Sequence, residues 1–412
     1  MFSVVLNKLT KNLGLVSAIL LLIVICMLPH ITIWDEEWYM KCVQYVQQYG
    51  LTTNFIKNDP AAPMHALIYY ALTPFTHGNV IGTRIINFAM CLATCYVIYK
   101  TIKIITPGST DVFSYSLLLF AIPSFFVIGF FAITEAPCLL FYSISVLLFL
   151  KTVNSGNNIL TIMLSGIFIG FAIITRQLFL LCIFPPMFLI FYKEPQKKVG
   201  LLLLFLISGL LICAPVFYIW KGIVPMYSGI RHDTANLITI KHGFLSFGYS
   251  FFYFMCLIPT YLYQFYKHHK KWLLPLILLG ILSSFLIKSH EFLPMSGLLP
   301  RLFSLQALTI IARFYFLTTC ILAFLLVYFF LIEFIQNRHS FTQIFLIFSM
   351  FTILCTPVLI SSQFSSRYPL QASSLMLVFC YSRLKPINLK LQTLIFSVTI
   401  IINLISVVTF FD

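Results

Sequence analysis

Long apolar runs separated by short polar stretches make up almost the whole chain. A helix needs about 20 apolar residues to cross a bilayer, and about thirteen runs approach that length. The pattern predicts an all-α, polytopic transmembrane helical bundle of about 11–13 spans. We expect a single domain over residues 1–412, without a soluble C-terminal domain. The predicted spans are residues 13–29, 82–99, 112–133, 136–150, 158–175, 177–192, 199–219, 244–266, 272–287, 314–335, 340–361, 369–382 and 391–410.

The first apolar run, Leu13 to Leu28, follows Lys8 and Lys11 and resembles a signal peptide. No small-residue cleavage site follows it, and residues 30–38 are bulky. We therefore interpret the run as an uncleaved first span that leaves the N-terminus in the cytoplasm.

The composition agrees with a membrane protein. Hydrophobic residues make up 60% of the chain and charged residues only 9%, whereas about a quarter of a soluble domain is charged. The net charge of +15 comes from lysines and arginines scattered between apolar runs, which is a topology signal and not a nucleic-acid patch. The 11 cysteines show no zinc-binding spacing and are expected to be small core residues.

The charges also predict an orientation. With a cytoplasmic N-terminus, more than half of the 26 lysines and arginines fall inside, as the positive-inside rule requires. Most of the 11 acidic residues fall outside, although acidic residues set topology only weakly. A reaction site on the outer face would explain this second bias. The outer acidic residues are Asp35, Glu36, Glu37, Asp59, Glu135, Asp233, Glu291 and Asp412.

Residues 30–81 form the first and longest outer loop. Three carboxylates, Asp35 to Glu37, directly follow the first span, and a proline-rich turn precedes an amphipathic run from Met64 to Phe75. Such short helices can lie in the membrane interface. A carboxylate at this boundary suits a general base, although an acidic helix N-terminus is an alternative explanation. Consecutive helical residues point about 100° apart, so not all three can face one site.

Several short motifs in this order resemble the GT-C glycosyltransferases. These include the dolichyl-phosphate-mannose protein mannosyltransferases, the bacterial lipid A aminoarabinose transferase and the dolichyl-phosphate-glucose glucosyltransferases. The motifs are Asp35-Glu36, Pro60 to Tyr70, Arg84-Ile85-Ile86-Asn87, Thr134-Glu135-Ala136-Pro137, Gly166 to Thr175 with Arg176-Gln177, His232, and Arg367-Tyr368-Pro369-Leu370. Relatives often carry a lysine or arginine near the proline-rich turn, where this chain has Ala62 and His65.

The resemblance implies transfer of a sugar from a polyprenyl-phosphate donor, with inversion, on the periplasmic or lumenal face. It implies that Asp35 is the general base and that Glu36 orients the acceptor. It also implies that cationic side chains hold the departing phosphate. The implied substrate-binding residues are Glu135, Arg84, Arg176, Arg367, His65 and His232.

Each of these residues also has a structural explanation. Glu135 could cap a helix, the arginines could be interfacial anchors, and the histidines could be core residues. Arg176 is hardest to explain in this way, because it interrupts an apolar stretch. His65 could replace the missing basic residue.

The expected partners are the lipid-linked donor, a glycan, lipid or protein acceptor, and the bilayer. We expect no nucleic acid, no metal and no cofactor other than the donor itself. The bacterial inner membrane is the expected location, or the endoplasmic reticulum in a eukaryote. A transporter or flippase of lipid-linked glycan, a non-catalytic assembly protein and an O-antigen polymerase or ligase remain alternatives.

Overall fold

The computed structural model is helical throughout the part of the chain that it describes. The described residues are 2–27, 32, 35–58, 63–76, 78–109, 112–122, 125–155, 158–191, 195–223, 237–287, 299–359, 365, 367–383 and 389–408. No strand occurs within these ranges. The predicted all-α membrane fold is therefore confirmed.

The first half of the chain contains eleven described α-helices and three 3₁₀ helices. The α-helices are α1 (Phe2–Met27), α2 (Asp35–Tyr49), α3 (Thr53–Asn58), α4 (Pro63–Ala71), α5 (Thr73–Thr76), α6 (Val80–Ile105), α7 (Val112–Ser116), α8 (Phe125–Phe130), α9 (Glu135–Ser155), α10 (Ile159–Thr175) and α11 (Pro195–Trp220). The 3₁₀ helices are Leu117–Ala121, Gln177–Ile183 and Pro185–Phe191.

The second half contains nine described α-helices and one 3₁₀ helix, Thr356–Leu359. The α-helices are α12 (Leu237–Leu257), α13 (Pro259–His268), α14 (Lys270–Ile287), α15 (Leu299–Leu302), α16 (Leu305–Gln336), α17 (Phe341–Cys355), α18 (Arg367–Leu370), α19 (Ser373–Arg383) and α20 (Leu389–Val408).

Six segments of the described chain are long and apolar enough to cross a membrane, and each overlaps a predicted span. They are Val80–Ile105, Glu135–Asn154, Val199–Trp220, Lys270–Ile287, Leu305–Gln336 and Phe341–Leu359. Shorter apolar helices, among them Ile159–Thr175, supplement this set. The chain is therefore a multi-pass membrane protein.

Four predicted spans are wrong as single straight helices, and one of them, residues 369–382, consists of the end of α18, a turn and α19. Residues 112–133 divide into α7, a 3₁₀ helix and α8, and residues 177–192 form two successive 3₁₀ helices. Residues 244–266 belong to a pair, Ile240–Leu257 and Pro259–His268, that is bent by 110°. Prolines explain the breaks, because the ring removes a backbone donor and disfavours helical geometry at the preceding residue.

The chain divides into two compact units. The unit that we call the N-terminal unit comprises Gly14–Phe120 and Phe125–Ile230. The C-terminal unit comprises Met1–Leu13, Ala121–Ser124 and Arg231–Asp412. The prediction of a single domain stays a prediction.

Three helices of the N-terminal unit form its central stack. α10 packs against both α9 and α11. Ser145 and Ser165 join α9 to α10 by reciprocal bonds, in which each hydroxyl donates to the other residue's carbonyl at 2.8 and 2.7 Å. This stack fixes the ends of α9 and α10, where two of the candidate site residues lie.

The C-terminal unit contains a buried polar network around Glu333 of α16. Arg383 Nε lies 3.2 Å from one carboxylate oxygen, and Asn337 Nδ2 donates to the same oxygen at 3.0 Å. The hydroxyl of Tyr261 donates to the other oxygen. The network joins α13, α16 and α19 and satisfies a carboxylate that is fully buried.

Candidate active site

The three carboxylates in the first turn of α2 have different surroundings. Asp35 is exposed, Glu36 is completely buried, and Glu37 is exposed and accepts from Lys41 Nζ at 2.7 Å. That lysine lowers the pKa of Glu37. The angular separation of consecutive helical residues produces this division. The prediction that the three side chains cannot share one site is therefore confirmed.

Glu36 forms a bidentate ion pair with Arg84 of α6. Arg84 Nη2 and Nε lie 2.7 and 3.0 Å from the two carboxylate oxygens, and both side chains have no exposed surface. The backbone N–H of Ala132 also donates to Glu36, at 3.1 Å. The guanidinium of Arg84 lies 4.4 Å from the ring centre of Phe130, a favourable cation–π contact.

This ion pair joins α2, α6 and the segment before α9. A carboxylate and a guanidinium that are buried against each other satisfy most of each other's hydrogen-bonding capacity. The geometry therefore favours a role for both residues in positioning these helices. The resemblance had implied instead that Glu36 contacts the acceptor and that Arg84 contacts the phosphate.

A second ion pair joins the start of α9 to the end of α10. Arg176 Nη1 lies 2.5 Å from Glu135 Oε1 and 3.1 Å from the hydroxyl of Thr134. The side chain of Glu135 has no exposed surface, whereas that of Arg176 keeps 14% exposed. The sequence predicted Glu135 and Arg176 as separate site residues, and the structure shows them in contact. The side chain of Arg176 is therefore partly accessible from outside the protein, although its Nε is buried.

His65 of α4 lies between two tyrosine rings. Its ring centre is 4.7 Å from that of Tyr39 and 4.6 Å from that of Tyr69. Burial lowers the pKa of His65 to about 3, against the opposing effects of the Glu135 charge and the Ala132 backbone. The imidazole is therefore neutral near pH 7 and cannot supply the positive charge of the missing basic residue.

Contacts and shared helices bring these side chains near one another within the N-terminal unit. Asp35 lies one helical turn before Tyr39, the residue that packs on His65. The charge of Glu135 raises the pKa of His65 and so opposes the effect of burial. The backbone N–H of Ala132, three residues before Glu135, donates to Glu36. Six predicted residues thus belong to this unit: Asp35, Glu36, His65, Arg84, Glu135 and Arg176.

The two other predicted residues belong to the C-terminal unit. Arg367 begins α18, is half-buried, and donates from Nε to the hydroxyl of Ser365 at 3.0 Å. His232 lies outside the described residues.

Four further polar residues were not predicted as site residues. The hydroxyl of Tyr69 donates to Asn87 Oδ1 at 2.8 Å, and both side chains are buried in the N-terminal unit beside His65 and Arg84. Lys241 and His242 are buried near the start of α12 in the C-terminal unit. A lysine and a histidine within an otherwise apolar helix were a signal that sequence reasoning could have used.

The described chain contains no group of three or more histidine, cysteine, aspartate or glutamate side chains arranged to hold a metal. The positive charge of the site comes instead from the arginines. The arrangement combines an exposed carboxylate, a partly exposed arginine side chain and two ion pairs with buried carboxylates, which together suit proton abstraction beside a bound anion.

Residues 59–220 match the sequence model of a family described as dolichyl-phosphate-mannose-protein mannosyltransferase. This stretch includes His65, Arg84, Glu135 and Arg176, and it begins after Asp35 and Glu36. The match agrees with the resemblance to GT-C glycosyltransferases over this part of the chain. Comparison with curated protein sequences gives no significant match.

Two solved structures illustrate the similarity. The protein O-mannosyltransferase Pmt1-Pmt2 complex of S. cerevisiae, bound to the sugar donor, matches with a TM-score of 0.40 and 16% identity, over 52% of this chain and 33% of that chain. ArnT from Cupriavidus metallidurans, bound to undecaprenyl phosphate, matches with a TM-score of 0.43 and 14% identity, over 90% of this chain and 76% of that chain.

Proposed function

We propose that this chain is an integral membrane glycosyltransferase that moves a sugar from a polyprenyl-phosphate donor to an acceptor on the periplasmic or lumenal face. The acceptor is a hydroxyl group of a glycan, a lipid or a protein. The family match over residues 59–220 supports the reaction class. The residue roles rest on the site geometry and on the sequence motifs.

The observation that supports the proposal most directly is the difference between Asp35 and Glu36. Asp35 stands exposed at the first position of α2, where an acceptor can reach it. Its neighbour Glu36 anchors the same helical turn through the buried pair with Arg84. A general base needs both access to its substrate and a fixed position, and this turn provides both.

In the proposed reaction, Asp35 accepts the proton of the acceptor hydroxyl while the oxygen attacks the anomeric carbon. The bond between that carbon and the phosphate oxygen breaks, and the polyprenyl phosphate leaves with the electron pair. Attack from the face opposite the phosphate inverts the anomeric configuration. The charge balances, because the proton stays on Asp35 and the negative charge moves to the leaving phosphate.

Arg176 and Arg367 are the proposed phosphate-binding residues. Arginine presents several N–H donors in a plane that matches phosphate oxygens. Arg176 is held by Glu135 at the end of α10 and keeps part of its surface exposed. Arg367 and His232 are proposed on the sequence motifs. In this scheme the cations stabilise the developing charge of the leaving group, and a metal ion has no required role.

The site is proposed to face away from the cytoplasm. The distribution of lysine and arginine between the loops supports this orientation. In a bacterium, the enzyme would reside in the inner membrane with its site towards the periplasm. In a eukaryote, the same orientation would place the site in the lumen of the endoplasmic reticulum.

The test is a transfer assay with the purified full-length chain. Radiolabelled polyprenyl-phosphate hexoses are supplied in detergent or liposomes, beginning with mannose because of the family match, with and without EDTA. We expect label to appear on an added glycan or lipid acceptor, at equal rates in both conditions. A complete lack of transfer, with movement of the intact lipid-linked sugar across the bilayer instead, would support the transporter alternative.

A further inference from the structure

Five of the buried polar side chains of the C-terminal unit lie on α12 and on the adjoining α18–α19 segment and have no hydrogen-bond partner within the described residues. Ser246 and Ser250 belong to α12, Gln371 belongs to the turn after α18, and Ser373 and Ser374 begin α19. Both amide atoms of Gln371 and the hydroxyls of the four serines have no partner within the described residues. We call this set the polar seam.

Other hydroxyls in the apolar helices behave differently. Thr94, Thr175, Thr319 and Thr352 each donate to the carbonyl four residues earlier in their own helix, at 2.7 to 3.0 Å. A hydroxyl in an apolar surrounding is normally satisfied in this way. The hydroxyls of Ser143 and Ser349 also lack a partner within the described residues, so the polar seam differs in having five such side chains on adjoining elements.

Neighbouring apolar contacts bring the members of the seam together. Leu245 and Tyr368 share one core cluster, and the rings of Phe254 and Phe379 lie 6.3 Å apart. α12 and the α18–α19 segment therefore run in the same direction. The residue numbers differ by 123 between Leu245 and Tyr368 and by 125 between Phe254 and Phe379. This register places Ser250 at the level of Ser374, and Ser246 close to the level of Gln371.

The faces of α12 agree with this placement. Leu245 on one flank packs with Tyr368, and on the other flank Gly243 faces Val358 and Phe247 contacts Phe351. Ser246 and Ser250, one helical turn apart, lie between these flanks. They are residues 10 and 14 of a 21-residue helix, near the middle of a candidate membrane span.

Buried polar groups without partners are costly, especially within a membrane, where water cannot replace the missing bonds. A closed seam that contained no water would therefore carry a free-energy cost. An opening that admits water would satisfy all five side chains at once.

The turn beside α12 is held by hydrogen bonds within itself and to the residues next to it in the chain. Its backbone bonds are local: Tyr368 donates to Ser365, Gln371 to Tyr368 and Ala372 to Pro369, at 3.1 to 3.3 Å. All three bonds are kept if Ser365 moves together with residues 367–372, and the Met376 N–H bond to the Ala372 carbonyl keeps the turn joined to α19.

We propose that the polar seam is a water-entry gate that opens when the α18–α19 turn separates from α12. The gate carries Arg367 at the first position of α18. Opening and closing would therefore move this guanidinium. This last consequence rests on the proposed function, in which Arg367 binds the donor phosphate, whereas the opening itself does not depend on catalysis.

Cysteine reactivity tests the opening without a transfer assay. Ser250→Cys and Ser374→Cys change one atom each, and the full-length variants are treated with a small water-soluble thiosulfonate in liposomes. Modification is measured on the corresponding peptide by mass spectrometry. The internal control is Cys320, which is buried in the apolar cluster beside the seam. We expect both new cysteines to react at least about tenfold faster than Cys320.

Equally slow reaction of Ser250→Cys, Ser374→Cys and Cys320 in a folded protein would overturn the proposal. A second measurement examines the cause. In a Ser250→Ala, Ser374→Ala background, the closed seam contains fewer unpartnered groups, so Ser246→Cys should react more slowly than it does alone, and the melting temperature should rise. A lower melting temperature would mean that the serines bond within the closed seam, which also contradicts the gate.

Discussion

At the scale of single residues, the Glu36–Arg84 pair is the strongest anchor of the candidate site. Both side chains are completely buried and share two hydrogen bonds. Removing one partner leaves an uncompensated buried charge, which typically costs about 3–5 kcal/mol. We therefore expect Arg84→Met to lower the melting temperature strongly.

The measurement is thermal unfolding in detergent, with Glu37→Gln as the matched control. Glu37 is exposed and pairs with exposed Lys41, so its replacement should leave the melting temperature almost unchanged. Equal stability of Arg84→Met and the wild type would show that the pair is not an anchor.

His65 predicts a pH dependence of stability. Its folded-state pKa of about 3 lies below the ordinary value of 6.5. Between these values the unfolded chain binds more protons than the folded one, so stability is full above pH 6.5 and decreases as the pH falls towards 3. The loss from this residue is at most about 1.4 kcal/mol per pH unit.

The comparison uses His65→Phe, which keeps a ring between Tyr39 and Tyr69. Unfolding of both proteins is followed from pH 7.5 to pH 5. We expect the wild type to lose stability relative to His65→Phe as the pH falls through this range. Parallel curves would contradict a neutral, buried imidazole.

Sequence reasoning predicted the residue types of the site better than their contacts. It predicted from helical geometry that Asp35, Glu36 and Glu37 cannot all face one site, and it proposed Glu135 and Arg176 as candidate residues. It did not predict that Glu36 pairs with Arg84 or that Glu135 pairs with Arg176, because these contacts join residues 41 to 48 positions apart. Such pairings depend on how the helices pack, and a single sequence does not record this.

At the scale of helices, α10 and α11 pack through glycines. A side chain at Gly166 would place its first carbon 2.3 Å from the carbonyl oxygen of Phe205, and Gly209 faces Gly166 from α11. Small residues allow such close approach of membrane helices. We expect Gly166→Ala to lower stability by about 1–3 kcal/mol, the usual cost of overpacking.

Gly200→Ala on α11 is the matched control, since nothing lies within 4 Å of the added carbon. It should leave the unfolding midpoint unchanged or raise it slightly, since alanine favours the helix. If both variants unfold at the wild-type temperature, the result would contradict the close packing of α10 on α11 at Gly166.

Helices were easier to predict than their interruptions. Long apolar runs such as Leu305–Gln336 are recognisable from hydropathy alone. The broken segments at residues 112–133 and 177–192 are equally apolar, so hydropathy does not distinguish them from spans. Prolines marked the breaks, but the extent of 3₁₀ structure around them depends on packing with neighbouring helices.

At the scale of the whole molecule, the account depends on orientation in the membrane. Lys57→Cys in the first outer loop should react with an impermeant maleimide added to the non-cytoplasmic side of intact cells. Lys267→Cys, at an exposed position in the predicted cytoplasmic loop, should react only after the membrane is opened. The opposite pattern would place the candidate site in the cytoplasm and contradict the proposed orientation.

The general base is the central claim, and the rate of sugar transfer by Asp35→Asn tests it most directly. The variant is compared with the wild type and with Glu37→Gln, which removes a neighbouring exposed carboxylate from the same helical turn. We predict that Asp35→Asn lowers the transfer rate by about 10²–10⁴-fold, whereas Glu37→Gln retains the wild-type rate. Transfer by Asp35→Asn at the wild-type rate would contradict the account.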